Sequence, residues 1–122
     1  MELDRVTELN ILLFIQLAGL PVRQAAAGMY WQGEKFQTWI SWQNDRIHIS
    51  QCMPLAPFDD NLLLLALRRW QPADFAGIPQ RIFQLRCGLA MSCCPAADST
   101  AELWLRVHRC QQAFLESLCK SQ

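Results

Sequence analysis

The chain is poor in charge: Asp, Glu, Lys and Arg make up 18 % of its 122 residues, and eleven bases cancel eleven acids. An average soluble domain carries about 25 % charged residues. Without a basic excess the long-range attraction behind nonspecific nucleic-acid or anionic-membrane binding is missing, so neither is expected as a partner. A glycine-rich phosphate loop is also lacking, because the five glycines, at 19, 28, 33, 77 and 88, are scattered as turn residues, and nucleotide binding has no support. No apolar run reaches the ~18–20 residues that span a bilayer; the longest, Ile11 to Leu20, contains Gln16 and ends at Gly19-Leu20-Pro21. The opening Met1-Glu2-Leu3-Asp4 is acidic and has none of the basic region of a signal peptide. A cytoplasmic location is expected.

There is no CxxC pair among the six cysteines, at 52, 87, 93, 94, 110 and 119. Free, mostly buried thiols are expected from that pattern. His48 precedes Cys52 by four residues and His108 precedes Cys110 by two, which is not the pair of compact ligand couples that structural zinc uses. Asp59-Asp60 fits a helix cap better than a metal site, and Arg68-Arg69 a solvated helix end better than a phosphate site. With only two histidines, His48 in a strand and His108 on a charged helix face, a Cys-His nucleophilic pair has no local signature. The chain is read as a non-enzyme without cofactors.

What the sequence has in excess is apolar residues, at 52 %. A chain of this length builds one domain, residues 1–122, with one core. That core cannot hide all the apolar side chains, and large bare apolar patches are uncommon on monomers. A second copy or another protein is therefore expected to cover part of the surface.

Along the chain, Asp4 can cap a first helix running to Ala18, with Leu9, Leu12, Leu13, Ile15 and Leu17 as its apolar face and Gly19 and Pro21 as its stop. From Gly28 the texture changes to alternation. Gly28-Met29-Tyr30-Trp31 reads as a strand before a turn at Gln32-Gly33-Glu34-Lys35. Phe36, Thr38, Ile40 and Trp42 then share one face of a second strand, and Gln37, Trp39, Ser41 and Gln43 the other. After Asn44-Asp45, Ile47, Ile49 and Met53 alternate with His48, Ser50 and Cys52, completing a three-stranded meander.

Asp59 or Asp60 caps a second helix through Asn61 to Trp70, with acids at its start and arginines at its end suiting the dipole. Its four consecutive leucines cannot all face one side, so it must be covered on more than one. Pro72 to Pro79 is a loop; Arg81 to Leu85 and Leu89 to Cys94 form a second hairpin. Ser99-Thr100-Ala101-Glu102 has the spacing of a capping box opening the last helix. Leu103, Val107, Cys110, Phe114 and Leu118 form its stripe, Trp104 lies off it, and Glu102/Arg106 and Glu116/Lys120 are i,i+4 pairs. The predicted fold is α+β, α-β-β-β-α-β-β-α, an antiparallel sheet packed by helices.

That order, with Leu17-Ala18-Gly19-Leu20-Pro21 closing the first helix and Met53-Pro54-Leu55 and Asp60 leading into the leucine-rich second, resembles the class I chaperones of bacterial type III secretion systems. The resemblance covers nearly the whole chain and rests on pattern. It implies a non-enzymatic dimer that binds and protects the extended secretion segment of an effector, a segment that becomes ordered on binding. The dimer interface would then involve Leu62, Leu63, Leu65, Ala66, Arg69, Trp70, Ile82 and Phe83. Partner contacts would fall on Trp31, Trp39 and Trp42. Members of that family are mostly acidic, whereas this chain is neutral with a pI near 6.7. A second reading follows: a chaperone-like regulatory protein of such a system that binds a transcriptional regulator or pairs, as a heterodimer, with another chaperone-like protein.

Overall fold

The structure, a computed structural model, describes residues 4–21, 25–54, 60–86 and 88–120. Helix α1 is Arg5–Ala18. The Asp4 carboxylate accepts the Thr7 backbone N–H at 2.8 Å and the Thr7 hydroxyl at 2.9 Å, which satisfies donors that the first turn leaves orphaned. Gly19 ends the helix in the left-handed region at φ 69°, where a side chain is strained, and its N–H returns to Gln16 and Ile15 carbonyls.

Five antiparallel strands follow: β1 Gly28–Gln32, β2 Gln37–Gln43, β3 Arg46–Pro54, β4 Arg81–Leu85 and β5 Gly88–Cys93, ordered β1-β2-β3-β5-β4. The meander is as expected. Asn44 and Asp45 join β2 to β3 with φ of 54° and 59°, the two left-handed residues of a tight hairpin turn that Asn and Asp tolerate. The second hairpin enters with β5 beside β3, so that Ile49 pairs with Cys93 and Met53 with Leu89, and β4 becomes an edge.

Helix α2, Asp60–Arg69, and helix α3, Ala101–Lys120, complete the expected order. Asp59, one of the two proposed caps of α2, lies outside the described residues. One element was not expected: Pro72–Phe75 forms a short 3₁₀ helix, and Phe75 at its end is fully buried, edge-on to Phe114 with ring centroids 5.5 Å apart. A single turn has no periodicity to read, which is why the segment looks like loop in the sequence.

The inner face of the sheet carries the core. Ile40, Trp42, Ile47 and Ile49 pack with Ile11, Phe14 and Ile15 of α1 and Trp104 and Val107 of α3. Phe36, Met53, Leu89 and Met91 pack with Leu62 and Ala66 of α2, Phe75, and Leu115 and Leu118 further along α3. Each large side chain so buried contributes about 1.5–3 kcal/mol. The twenty residues of α3 reach about 30 Å and serve both clusters.

Four helical details depart from the sequence reading. On α1 the buried residues are Thr7, Ile11, Phe14 and Ile15, whereas Leu9, Leu13 and Leu17 of the expected face are exposed. On α3 the buried line is Ala101, Trp104, Val107, His108, Gln111, Leu115 and Leu118, with Leu103, Cys110 and Phe114 only half-buried on its flank. Trp104 and His108, expected off the stripe and on a charged face, are thus 2 % and 4 % exposed. The polar residues at 108 and 111 disguise the true line. Finally, Ser99 does not cap a backbone: its hydroxyl donates to Ala96 O and accepts the indole N–H of Trp104 at 2.8 Å. Glu102 and Arg106 do not pair; Glu116 meets Lys35 at 3.8 Å instead, and the side chain of Lys120 lies outside the description.

Candidate functional site

All three helices lie over one face of the sheet, as the two core clusters require, and the opposite face takes the alternate residues of every strand. On that outer face Tyr30 pairs in register with Trp39, and their rings sit 5.2 Å apart. Tyr30 is half exposed. Among the described residues both sheet edges, β1 and β4, lack a neighbouring strand, and an edge of that kind is a place where an extended peptide can add.

The other apolar surface is helical. Val6, Leu9, Leu13 and Leu17 of α1 are 70 %, 51 %, 37 % and 40 % exposed, and their spacing of three and four residues gathers them into one stripe. Leu64 and Leu67 of α2 are likewise about half exposed. A shallow cleft on α2 is lined by Asn61, Leu62, Leu64, Leu65 and Arg68.

The tryptophans separate. Trp39 is on the outer face and half-buried. Trp31 is paired with inward-facing Thr38, and packs half-buried against the core. Trp42 is 9 % exposed inside that core, so its indole faces the chain's own helices and has almost no surface to offer a partner. Sequence alternation had placed Trp39 and Trp42 on opposite faces, but which face was bare depended on where the helices lay.

Of the residues expected at a dimer interface, Leu62 and Ala66 are 2 % and 0 % exposed and are spent on the core. Leu63, Leu65, Trp70, Ile82 and Phe83 are half-buried, and Arg69 is exposed. The exposed large apolar side chains of α2 are Leu64 and Leu67, which lie in or beside the leucine run but outside the predicted set.

A polar seam runs between α3 and the sheet. Thr38 Oγ1 donates to Gln51 Oε1, and the Gln51 amide N–H meets His108 Nδ1. Gln111 Nε2 donates to Gln80 Oε1 at 2.9 Å and Ile49 O at 3.3 Å, leaving its own Oε1 unpartnered. Burial, and secondarily Arg109, pushes the His108 imidazole down to about 4.

Among the described cysteines, Cys52 and Cys93 are buried, Cys94 and Cys110 half-buried and Cys119 exposed; Cys87 lies outside the described residues. Burial pushes the Cys93 thiol up to about 12, which leaves it a packing residue. Among the described residues no three His, Cys, Asp or Glu side chains are grouped to hold a metal ion, and no helix is long and apolar enough to cross a membrane.

A sheet helix-covered on one side, with this strand order, is the fold of type III secretion chaperones. A solved chaperone–effector complex, HopA1–SchA, superposes with a TM-score of 0.64 over 98 % of this chain and 99 % of that one, at 12 % identity; the likeness is one of fold. At the level of sequence, the SsaM family model matches residues 4–118. The secretion system apparatus protein SsaM of Salmonella typhimurium is 52 % identical over 119 residues, 98 % of each chain. The chain belongs to the SsaM family.

Proposed function

We propose that this chain is a cytoplasmic, non-enzymatic, protein-binding component of a type III secretion system, holding an extended segment of an effector against surfaces its own core leaves bare. The carrying observation is the apolar stripe Val6, Leu9, Leu13 and Leu17 on a helix whose opposite face is already fully committed to the core. Those side chains leave between 37 % and 70 % of their surface outside the chain's own packing, and surface of this kind ordinarily marks a partner. Tyr30 and Trp39 on the sheet face that no described helix covers, beside the β1 edge that no described strand pairs, offer ring surface and backbone groups to the same ligand. In this reading the chain acts as a dimer, with Leu63, Leu65, Arg69, Trp70, Ile82 and Phe83 at or near the contact and Leu64 and Leu67 added to it.

The second reading, a chaperone-like regulator that binds another regulatory or apparatus protein, is favoured by the neutral charge and by the naming of the Salmonella relative as an apparatus protein. Affinity capture of the tagged chain from its native host, with identification of what is retained, separates the two. A secreted effector lost on Leu9→Gln/Leu13→Gln supports the first. A transcriptional regulator, a chaperone-like protein or a non-secreted apparatus component supports the second. Retention of no secretion-system protein by the wild type would end both.

A further inference from the structure

Where β3 begins and β5 ends, a cleft of about 360 Å³ is lined by Arg46, His48, Gln80, Arg81, Ser92 and Cys94 among others. Extending the β3–β5 register one step beyond Ile49 and Cys93 sets His48 opposite Cys94, and Cys94 Sγ lies 3.8 Å from His48 Nε2. Both side chains are half-buried, hence reachable but held. The Arg46 guanidinium donates to the carbonyls of Cys94 at 2.8 Å and Pro95 at 3.1 Å, pinning the segment that carries the thiol. Arg81, exposed at the start of β4, stands across from Ser92. Among the described residues no carboxylate forms an ion pair with either arginine, so the cleft holds two cations and a thiol beside a proton acceptor. Cys93 also lines the cleft, but by alternation its side chain belongs to the sheet's other face, where it is buried and its sulfur accepts from Gln111 Nε2.

We propose that Cys94 is a modification site at which a small disulfide bearing carboxylates, of the glutathione disulfide type, exchanges onto the protein. The thiol proton passes to His48 Nε2 and the sulfur forms a new S–S bond with one sulfur of the reagent. The reagent's S–S bond breaks with its electron pair on the departing sulfur, which takes the proton back from His48. One disulfide is consumed and one thiol released, so no further oxidant enters. Arg81, and Arg46 to the extent its fork is free of the carbonyls, attract the carboxylates. Reactive cysteines are characteristically found in such electropositive, partly exposed surroundings.

The full-length protein is incubated with glutathione disulfide at neutral pH and its peptides are mapped by mass spectrometry without reductant. The adduct is expected on Cys94 at least about fivefold faster than on the more exposed Cys119, since access alone would favour the latter. Arg81→Gln, at an exposed position, is expected to slow this reaction about threefold while leaving exchange with the uncharged hydroxyethyl disulfide unchanged. His48→Asn, shown to be folded by circular dichroism, is expected to slow both reagents. Equal labelling of Cys94 and Cys119, an Arg81→Gln protein that treats the two reagents as the wild type does, or a His48→Asn protein of undiminished rate overturns the proposal.

Discussion

Gln51 and His108 meet head to head between the sheet and the third helix, amide Nε2 against imidazole Nδ1. The Thr38 hydroxyl, donating to Gln51 Oε1 at 2.7 Å, orients the carboxamide so that its N–H points at the ring. Nδ1 must therefore present a lone pair, and the ring proton sits on Nε2. A protonated ring would set two donors face to face at a position 4 % exposed, with Phe14 edge-on at 5.6 Å on another side.

Acid is therefore expected to destabilise the fold. The unfolded chain takes up the His108 proton near 6.5, and burial, aided by Arg109, withholds it in the folded chain until about 4. Between those values the unfolded state binds more protons, so the contribution is complete above about pH 6.5 and lost as pH falls toward 4. At about 1.4 kcal/mol per pH unit the full loss is on the order of 3 kcal/mol. Urea midpoints measured across that interval should fall with pH, and His108→Gln should flatten the slope. Asp4, whose carboxyl is lowered chiefly by the Thr7 backbone N–H, acts in the same direction at the acid end, because its unfolded carboxyl begins to take up protons below about pH 5.

Removing one hydroxyl should be felt in the core. Ser99→Ala leaves the Trp104 indole N–H, on a side chain 2 % exposed, without its acceptor, a loss of about 1–3 kcal/mol. Chemical denaturation measures it. An unchanged midpoint would mean that the indole finds another acceptor.

Two tryptophans three residues apart should behave oppositely. Trp42→Ala empties an inner-face site and is expected to cost about 3–5 kcal/mol. Trp39→Ala, half-buried on the outer face against Tyr30, should cost roughly 1 kcal/mol while weakening retention of the captured partner. Paired thermal melts and pull-downs test both halves, and equal destabilisation would refute the assignment of faces.

Light scattering on the purified wild type is expected to give about twice 14.0 kDa. Leu64→Asp with Leu67→Asp, both changes at positions about half exposed, should return the chain to monomer mass without loss of helix by circular dichroism. A wild type that is already monomeric would remove the dimer.

Much of this fold could be read in advance because its signals are local. Alternation from Phe36 to Trp42, the Asn44-Asp45 turn and the Asp4 and Gly19 caps each act over a few residues, and all five strands and three helices stand where they were expected. What escaped depends on distant partners. His108 and Gln111 sit in the core where His108 pairs with Gln51, and Gln111 with Gln80 and the Ile49 carbonyl, so a hydrophobic stripe drawn through α3 misses them. On α1 the reverse happened: Leu9, Leu13 and Leu17 look like core and are surface, since Ile11, Phe14 and Ile15 occupy the face that meets the sheet. The pairing of His48 with Cys94 has no trace in sequence spacing, because only the β3–β5 register brings them together.

The placement of β5 beside β3, with β4 displaced to the rim, also makes the central strand depend on distant sequence. The three-stranded meander closes from neighbours in sequence, but its third strand waits for residues 88 to 93 before its free edge is satisfied. Contacts that span so much chain form slowly, and an unmet strand edge invites foreign pairing. Without the second hairpin, the strand left with an unpaired edge would be the central one, β3.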